Sequence, residues 1–142
     1  MLTEIKTDTY HYFIDENGMK QGEYKDYHDI GQLCEHSFRL NDKRHGEYKH
    51  YFNDGSLFVH TFHLHGKRHG IFTKYHHDSS LMVRTTFLHG MIHGEYIEYY
   101  ENGNIKEFTI FYQGKDLKVN PVTLTEKDKT YIMLSGRLPP RD

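Results

Sequence analysis

The sequence predicts an all-β fold: a single elongated, twisted antiparallel sheet of stacked β-hairpins with a short helix capping its C-terminal end. Three observations carry that expectation. One glycine recurs at Gly22, Gly46, Gly70 and Gly94, every 24 residues. An aromatic residue follows it at a fixed distance, at Tyr24, Tyr48, Phe72 and Tyr96. The composition lacks alanine and carries 12 Tyr and 9 Phe, which disfavours a helical bundle and suits strands.

The repeat divides the chain into units 18–41, 42–65, 66–89 and 90–113. Partial units flank them, so the array is expected over 1–117 and a cap and tail over 118–142. A second tyrosine recurs at Tyr27, Tyr51, Tyr75 and Tyr99, and a leucine-type residue at Leu33, Leu57, Leu81 and Ile105. Each unit reads as a hairpin. Its first strand runs through Gly-Glu-Tyr, and a turn follows at Asn53-Asp-Gly55 or Glu101-Asn-Gly103, where positive φ is favoured. The second strand shows period-2 alternation, as from Phe58 to His65. The next turn spans Gly66-Lys-Arg-His-Gly70. A unit alone buries little, and stacking supplies the core. Tyr24, Tyr48, Phe72 and Tyr96 are expected to form a ladder of cross-strand neighbours.

After Asn120-Pro121 the pattern breaks. Thr125-Glu-Lys-Asp128 resembles a capping box, with Tyr131, Ile132 and Leu134 expected on one side of a short helix that ends at Gly136. The helix is expected to cover the last hairpin.

The stretches Gly46-Glu-Tyr-Lys-His-Tyr-Phe-Asn-Asp-Gly55 and Gly94-Glu-Tyr-Ile-Glu-Tyr-Tyr-Glu-Asn-Gly103 resemble the MORN repeat, in the variant form common in bacterial and giant-virus proteins. Gly66-Lys-Arg-His-Gly70 is similar to that family's junction. The resemblance implies a solenoid of hairpins and a role in protein interaction or dimerisation. It also brings two alternatives: an antitoxin or immunity protein, and a binder of acidic lipid.

Composition excludes several other classes. A formal charge of −2 provides no strong field for nucleic acid. One cysteine makes neither an internal disulfide nor a cysteine-built zinc site. No secretory h-region stands at the N-terminus and no apolar run has the length of a membrane span, so a cytoplasmic protein is expected. Cys34 aligns with Phe58 and Met82 and reads as a packed side chain. No nucleophile–base motif or phosphate loop appears, so no enzyme, no catalytic residue and no cofactor is expected.

Three groups remain as candidates. The 13 histidines invite a metal reading. His45, His69 and His93 repeat across hairpins roughly 9.5 Å apart, too far to share one ion. His65 with His69, and His89 with His93, flank the same turns, yet each pair supplies only two ligands, and no metal site is expected. Lys43, Arg44, Lys67 and Arg68 form a short cationic ridge suited to an anionic ligand such as an acidic lipid headgroup. Tyr27, Tyr51, Tyr75 and Tyr99 exceed what one packed face needs, and are the expected interaction surface for another protein or a second copy of the chain.

Overall fold

The computed structural model describes residues 1–140, so Arg141 and Asp142 of the expected tail lie outside it. An opening hairpin is formed by β1 (Thr3–Lys6) and β2 (Tyr10–Ile14). The first full unit contributes β3 (Gly22–Tyr27) and β4 (Leu33–Leu40), and the second contributes β5 (Lys43–Arg44), β6 (Gly46–Tyr51) and β7 (Leu57–Leu64). The third supplies β8 (Lys67–Arg68), β9 (Gly70–Tyr75) and β10 (Leu81–Leu88). The fourth supplies β11 (Met91–Ile92), β12 (Gly94–Tyr99) and β13 (Ile105–Tyr112), and β14 (Lys115–Asp116) follows. These strands form one open antiparallel sheet whose long strands lie side by side in chain order. β1 has no counterpart in the repeat, and the sequence pattern does not reveal it.

The junction between units is tighter than a five-residue turn. Leu64 pairs with Lys67, so only His65 and Gly66 form the loop. Both have positive φ, at 49° and 86°, as a two-residue type I′ hairpin requires. Asn41-Asp42, His89-Gly90 and Gln113-Gly114 repeat this geometry. Asp42 therefore takes the left-handed shape in the one unit that lacks the glycine. A two-residue strand follows the turn, and the chain then bends at Gly70, whose φ is 98°.

Each hairpin carries a bulge at its far end. His50 pairs with Val59 and Tyr51 with Leu57, leaving Phe58 without an opposite residue. Cys34, Met82 and Lys106 sit at the same irregularity. The extra residue turns Leu57 to the face opposite Val59, although the two are only two residues apart.

The sheet has one inner face that holds the core. Val59, Phe72 and Val83 are buried together, with Tyr48, Phe58, Met82, Phe87 and Tyr96 packed against them. The expected tyrosine ladder is corrected in one respect. The cross-strand partner of each ring is a small hydroxyl residue: Tyr24 faces Ser37, Tyr48 faces Thr61, Phe72 faces Thr85 and Tyr96 faces Thr109. Aromatics on successive hairpins are thus separated by an intervening strand. Thr61 and Thr85 bury their hydroxyls by donating to the carbonyls of Ile71 and Glu95 on the next hairpin. Alternating large and small side chains lets this single layer pack.

Helix α1 (Glu126–Ser135) begins at a capping box, in which Thr125 Oγ1 accepts from the Asp128 N–H and the Asp128 carboxylate accepts from the Thr125 N–H. It ends at Gly136, with φ 71°. Of the three apolar residues expected on its packed side, Ile132 alone is buried; Tyr131 and Leu134 are exposed. The helix touches the sheet along a narrow stripe. Lys129 Nζ meets Glu95 at 3.0 Å, and a side chain at Gly136 would stand 2.7 Å from the Tyr112 ring.

Candidate interaction faces

Strand alternation sends every second side chain to the outer face. There Glu23 accompanies His36 at 3.1 Å and Glu47 accompanies His60 at 3.1 Å, while Glu4 meets His11 at 2.8 Å. Each histidine ring lies beside a phenylalanine, at Phe13, Phe38 and Phe62, with centroids 5.4–5.6 Å apart. The carboxylates of Glu23 and Glu47 are held below their ordinary range, first by the histidine hydrogen bond. Leu40, Phe62, Leu64, Ile71 and Leu88 add an exposed apolar row.

The four repeat tyrosines belong to this same face. Tyr51 lies two residues beyond Lys49 and four beyond Glu47 on one strand, and pairs with Leu57. Tyr27, Tyr75 and Tyr99 pair in the same way with Leu33, Leu81 and Ile105. All four are half-buried rather than fully exposed. They occupy the far end of the outer face, and the apolar row occupies the junction end.

The basic ridge is divided between the faces. Lys43 and Lys67 pair with Leu40 and Leu64 and lie outside, their stems over Gly66 and Gly90. Arg44 and Arg68 pair with Arg39 and His63 and turn inward. Arg44 lies over Tyr48 at 5.0 Å and Arg68 over Phe72 at 5.2 Å, both within cation–π range. The four charges therefore do not converge. Arg44 also donates to buried Glu35 at 2.8 Å, and Arg39 does so at 3.2 Å.

The repeated histidines have a role that the sequence reading missed. His45 Nδ1 accepts the backbone N–H of His65 on the next turn at 3.1 Å. His93 does the same for Gln113 at 3.0 Å, and His69 does so more loosely for His89 at 3.5 Å. Gln21 holds the equivalent place in the first unit, its Oε1 accepting from the Asn41 N–H at 3.0 Å. These side chains staple successive turns together. The signal was the interchange of Gln with His at one repeat position. The ring contacts run between turns as well. His45 packs on His65 at 4.7 Å and His69 on His89 at 5.3 Å. Among the described residues no group of three or more His, Cys, Asp or Glu is placed to hold a metal ion.

At the far end of the first three units, His28, His50, Phe52, Phe58 and His77 line an open cleft of about 380 Å³. Phe52 stacks on His77 with centroids 3.9 Å apart. Cys34 borders it, 3.4 Å from His50 Nε2. Burial, and then the charge of Asp26, pushes the Cys34 thiol up to about 11, which keeps it protonated and poorly nucleophilic at neutral pH. Among the described residues no helix is long and apolar enough to cross a membrane.

A family model described as the MORN repeat variant matches residues 44–65 and 92–113. No curated protein matches the chain. The matched stretches fall within the second and fourth units, which keep Gly-Glu-Tyr and an Asn-Asp-Gly or Glu-Asn-Gly turn; the third unit has Ile71 and Ser79 at those places. Ser79 nevertheless keeps the glycine's left-handed backbone, with φ 70°. Two stretches of the chain, 44–65 and 92–113, are variant MORN repeats, and the other units share their hairpin geometry.

Proposed function

We propose that the chain is a non-enzymatic protein-interaction module that binds through the outer face of its sheet. One observation carries this reading. The chain's own helix lies on that face at the last hairpin, where Ile110 is 2% exposed. Phe62, two units earlier at the equivalent position, is 38% exposed and has no such cover. The expected occupant is an amphipathic helix of a partner, using the kind of contact that Lys129 makes with Glu95 in cis. The apolar row would receive its hydrophobic side, and Glu23 and Glu47 would receive basic residues at its margin.

MORN repeats are compatible with protein or lipid binding, and an acidic lipid is the competing ligand. The inward turn of Arg44 and Arg68 favours the protein reading. Replacing Tyr51 and Tyr75 together with serine is expected to abolish partner capture while circular dichroism still reports the sheet. Unchanged capture by pull-down, with unchanged light scattering, would contradict the proposed face. Liposome sedimentation with Lys43, Arg44, Lys67 and Arg68 changed to serine decides the lipid alternative. An antitoxin or immunity role would differ only in the identity of the partner.

A further inference from the structure

The N-terminal edge of the sheet is formed by β1. Among the described residues β1 pairs only with β2, whereas the opposite end carries β14 and a chain segment whose Leu117 N–H donates to Ile110. Edge strands offer unpaired backbone groups to another strand. The phase of those groups on β1 is fixed. Thr7 N–H donates to the Tyr10 carbonyl, and Ile5 stands opposite Tyr12 in the same ladder. Antiparallel alternation then commits the backbone groups of Thr3 and Ile5 to β2, and turns those of Glu4 and Lys6 outward.

From this arrangement we infer that β1 pairs antiparallel with β1 of a second copy, in the register that sets Glu4 opposite Lys6. The reading of the chain as an interaction module underlies this inference, which uses a different surface. Three neighbouring registers let outward groups meet. One sets Glu4 against Glu4 and another sets Lys6 against Lys6. Like charges directly opposite are destabilising, so both are disfavoured. The remaining register makes two Glu4–Lys6 pairs related by a twofold axis normal to the sheet. Glu4 and Lys6 then exchange backbone hydrogen bonds twice.

Ile5 would lie beside Ile5 of the second copy at a non-hydrogen-bonded site, where side chains approach most closely. Ile5 is half-buried and shares the inner face with Tyr12, which stacks on Tyr24 at 5.9 Å. The inner aromatic column would thus run unbroken across the dimer. On the other face Lys6 makes no ion pair among the described residues, and Glu4 meets only His11. The symmetry is that of an isologous interface, in which one patch serves both copies.

Sedimentation velocity on the full chain, from micromolar to millimolar concentration, tests the pairing. The unmodified chain is expected to form a concentration-dependent dimer. Glu4→Lys alone sets lysine against Lys6, and Lys6→Glu alone sets glutamate against Glu4, so each single variant is expected to be monomeric. An equimolar mixture of the two is expected to recover the dimer, as is the chain carrying both exchanges. Recovery in the mixture also shows that both variants are folded. A chain that stays monomeric at every concentration overturns the inference. So does a dimer that survives either single exchange, or single variants that fail to associate when mixed. A dimer insensitive to these exchanges but lost on replacing Tyr51 and Tyr75 with serine would overturn the edge pairing and leave the outer-face reading standing.

Discussion

Replacing His63 with phenylalanine is expected to reduce the loss of stability that sets in as pH falls from about 6.5 toward 4. His63 is buried on the inner face, and its Nδ1 is buried without a hydrogen-bond partner among the described residues. Burial, followed by the charges of Arg44 and Arg68, pushes its pKa down to about 4. The folded chain therefore keeps His63 neutral while the unfolded chain protonates it near the ordinary value of about 6.5. Stability from this source is complete above that value and is lost as pH falls from about 6.5 toward 4. At pH 5 the loss amounts to about 2 kcal/mol. Phenylalanine already stands at the equivalent position of the next unit, where Phe87 packs against Phe72 at 5.5 Å. The substitution also removes the orphaned nitrogen, worth about 1–3 kcal/mol at any pH. Urea unfolding at pH 7.5 and pH 5 should show a smaller difference between the two conditions for His63→Phe than for the parent chain. An equal difference would mean that His63 is not the group that titrates.

Glu35→Gln is expected to cost about 3 kcal/mol, because it leaves two guanidiniums without the carboxylate that holds them. Glu35 is 6% exposed and accepts from Ser37 at 2.6 Å as well as from both arginines. Burial works to raise its pKa. The hydrogen bonds from Arg44 and Ser37, and the arginine charges, outweigh burial and hold the carboxyl below its ordinary range. Its contribution is therefore present above the ordinary carboxylate pKa and lost as pH falls through the lowered value. Valine occupies the same place in the next two units, at Val59 and Val83. Combining Glu35→Val with Arg39→Phe copies the third unit and should restore much of the stability lost in Glu35→Gln, since a packed apolar set often matches a buried ion cluster. Denaturant unfolding of the single and double variants measures the coupling. Additive losses would show that Glu35 and Arg39 act independently.

The fold was legible because its turns demand left-handed backbone. Glycine marks such positions, so a spacing of 24 residues is also a spacing of hairpins. The C-terminal helix was legible for a similar reason: the Thr125 cap and Gly136 are local signals. What period-2 patterning leaves open is which parity faces the core. That ambiguity hid the split of Lys43 and Lys67 from Arg44 and Arg68, and it put Tyr27, Tyr51, Tyr75 and Tyr99 on a surface without saying what shares it. β1 escaped because Thr3–Lys6 has no second copy to align with. The junction histidines were visible as a repeat, but their role depends on the approach of successive turns. Only Gln21 at the first junction pointed to a hydrogen-bond acceptor rather than a metal ligand.

The outer face, open over three units and covered by the chain's own helix at the fourth, is the proposed binding surface for a partner. Site-specific photo-crosslinking in the native cells tests it most directly, with the reactive group placed in turn at Phe62, Ile71 and Leu88 on the outer face and at Arg44 and Arg68 on the inner one. A discrete protein adduct is expected from the outer positions, lost when Tyr51 and Tyr75 are replaced by serine, and none from the inner positions. Adducts confined to Arg44 and Arg68, or lipid adducts in place of protein, would contradict it.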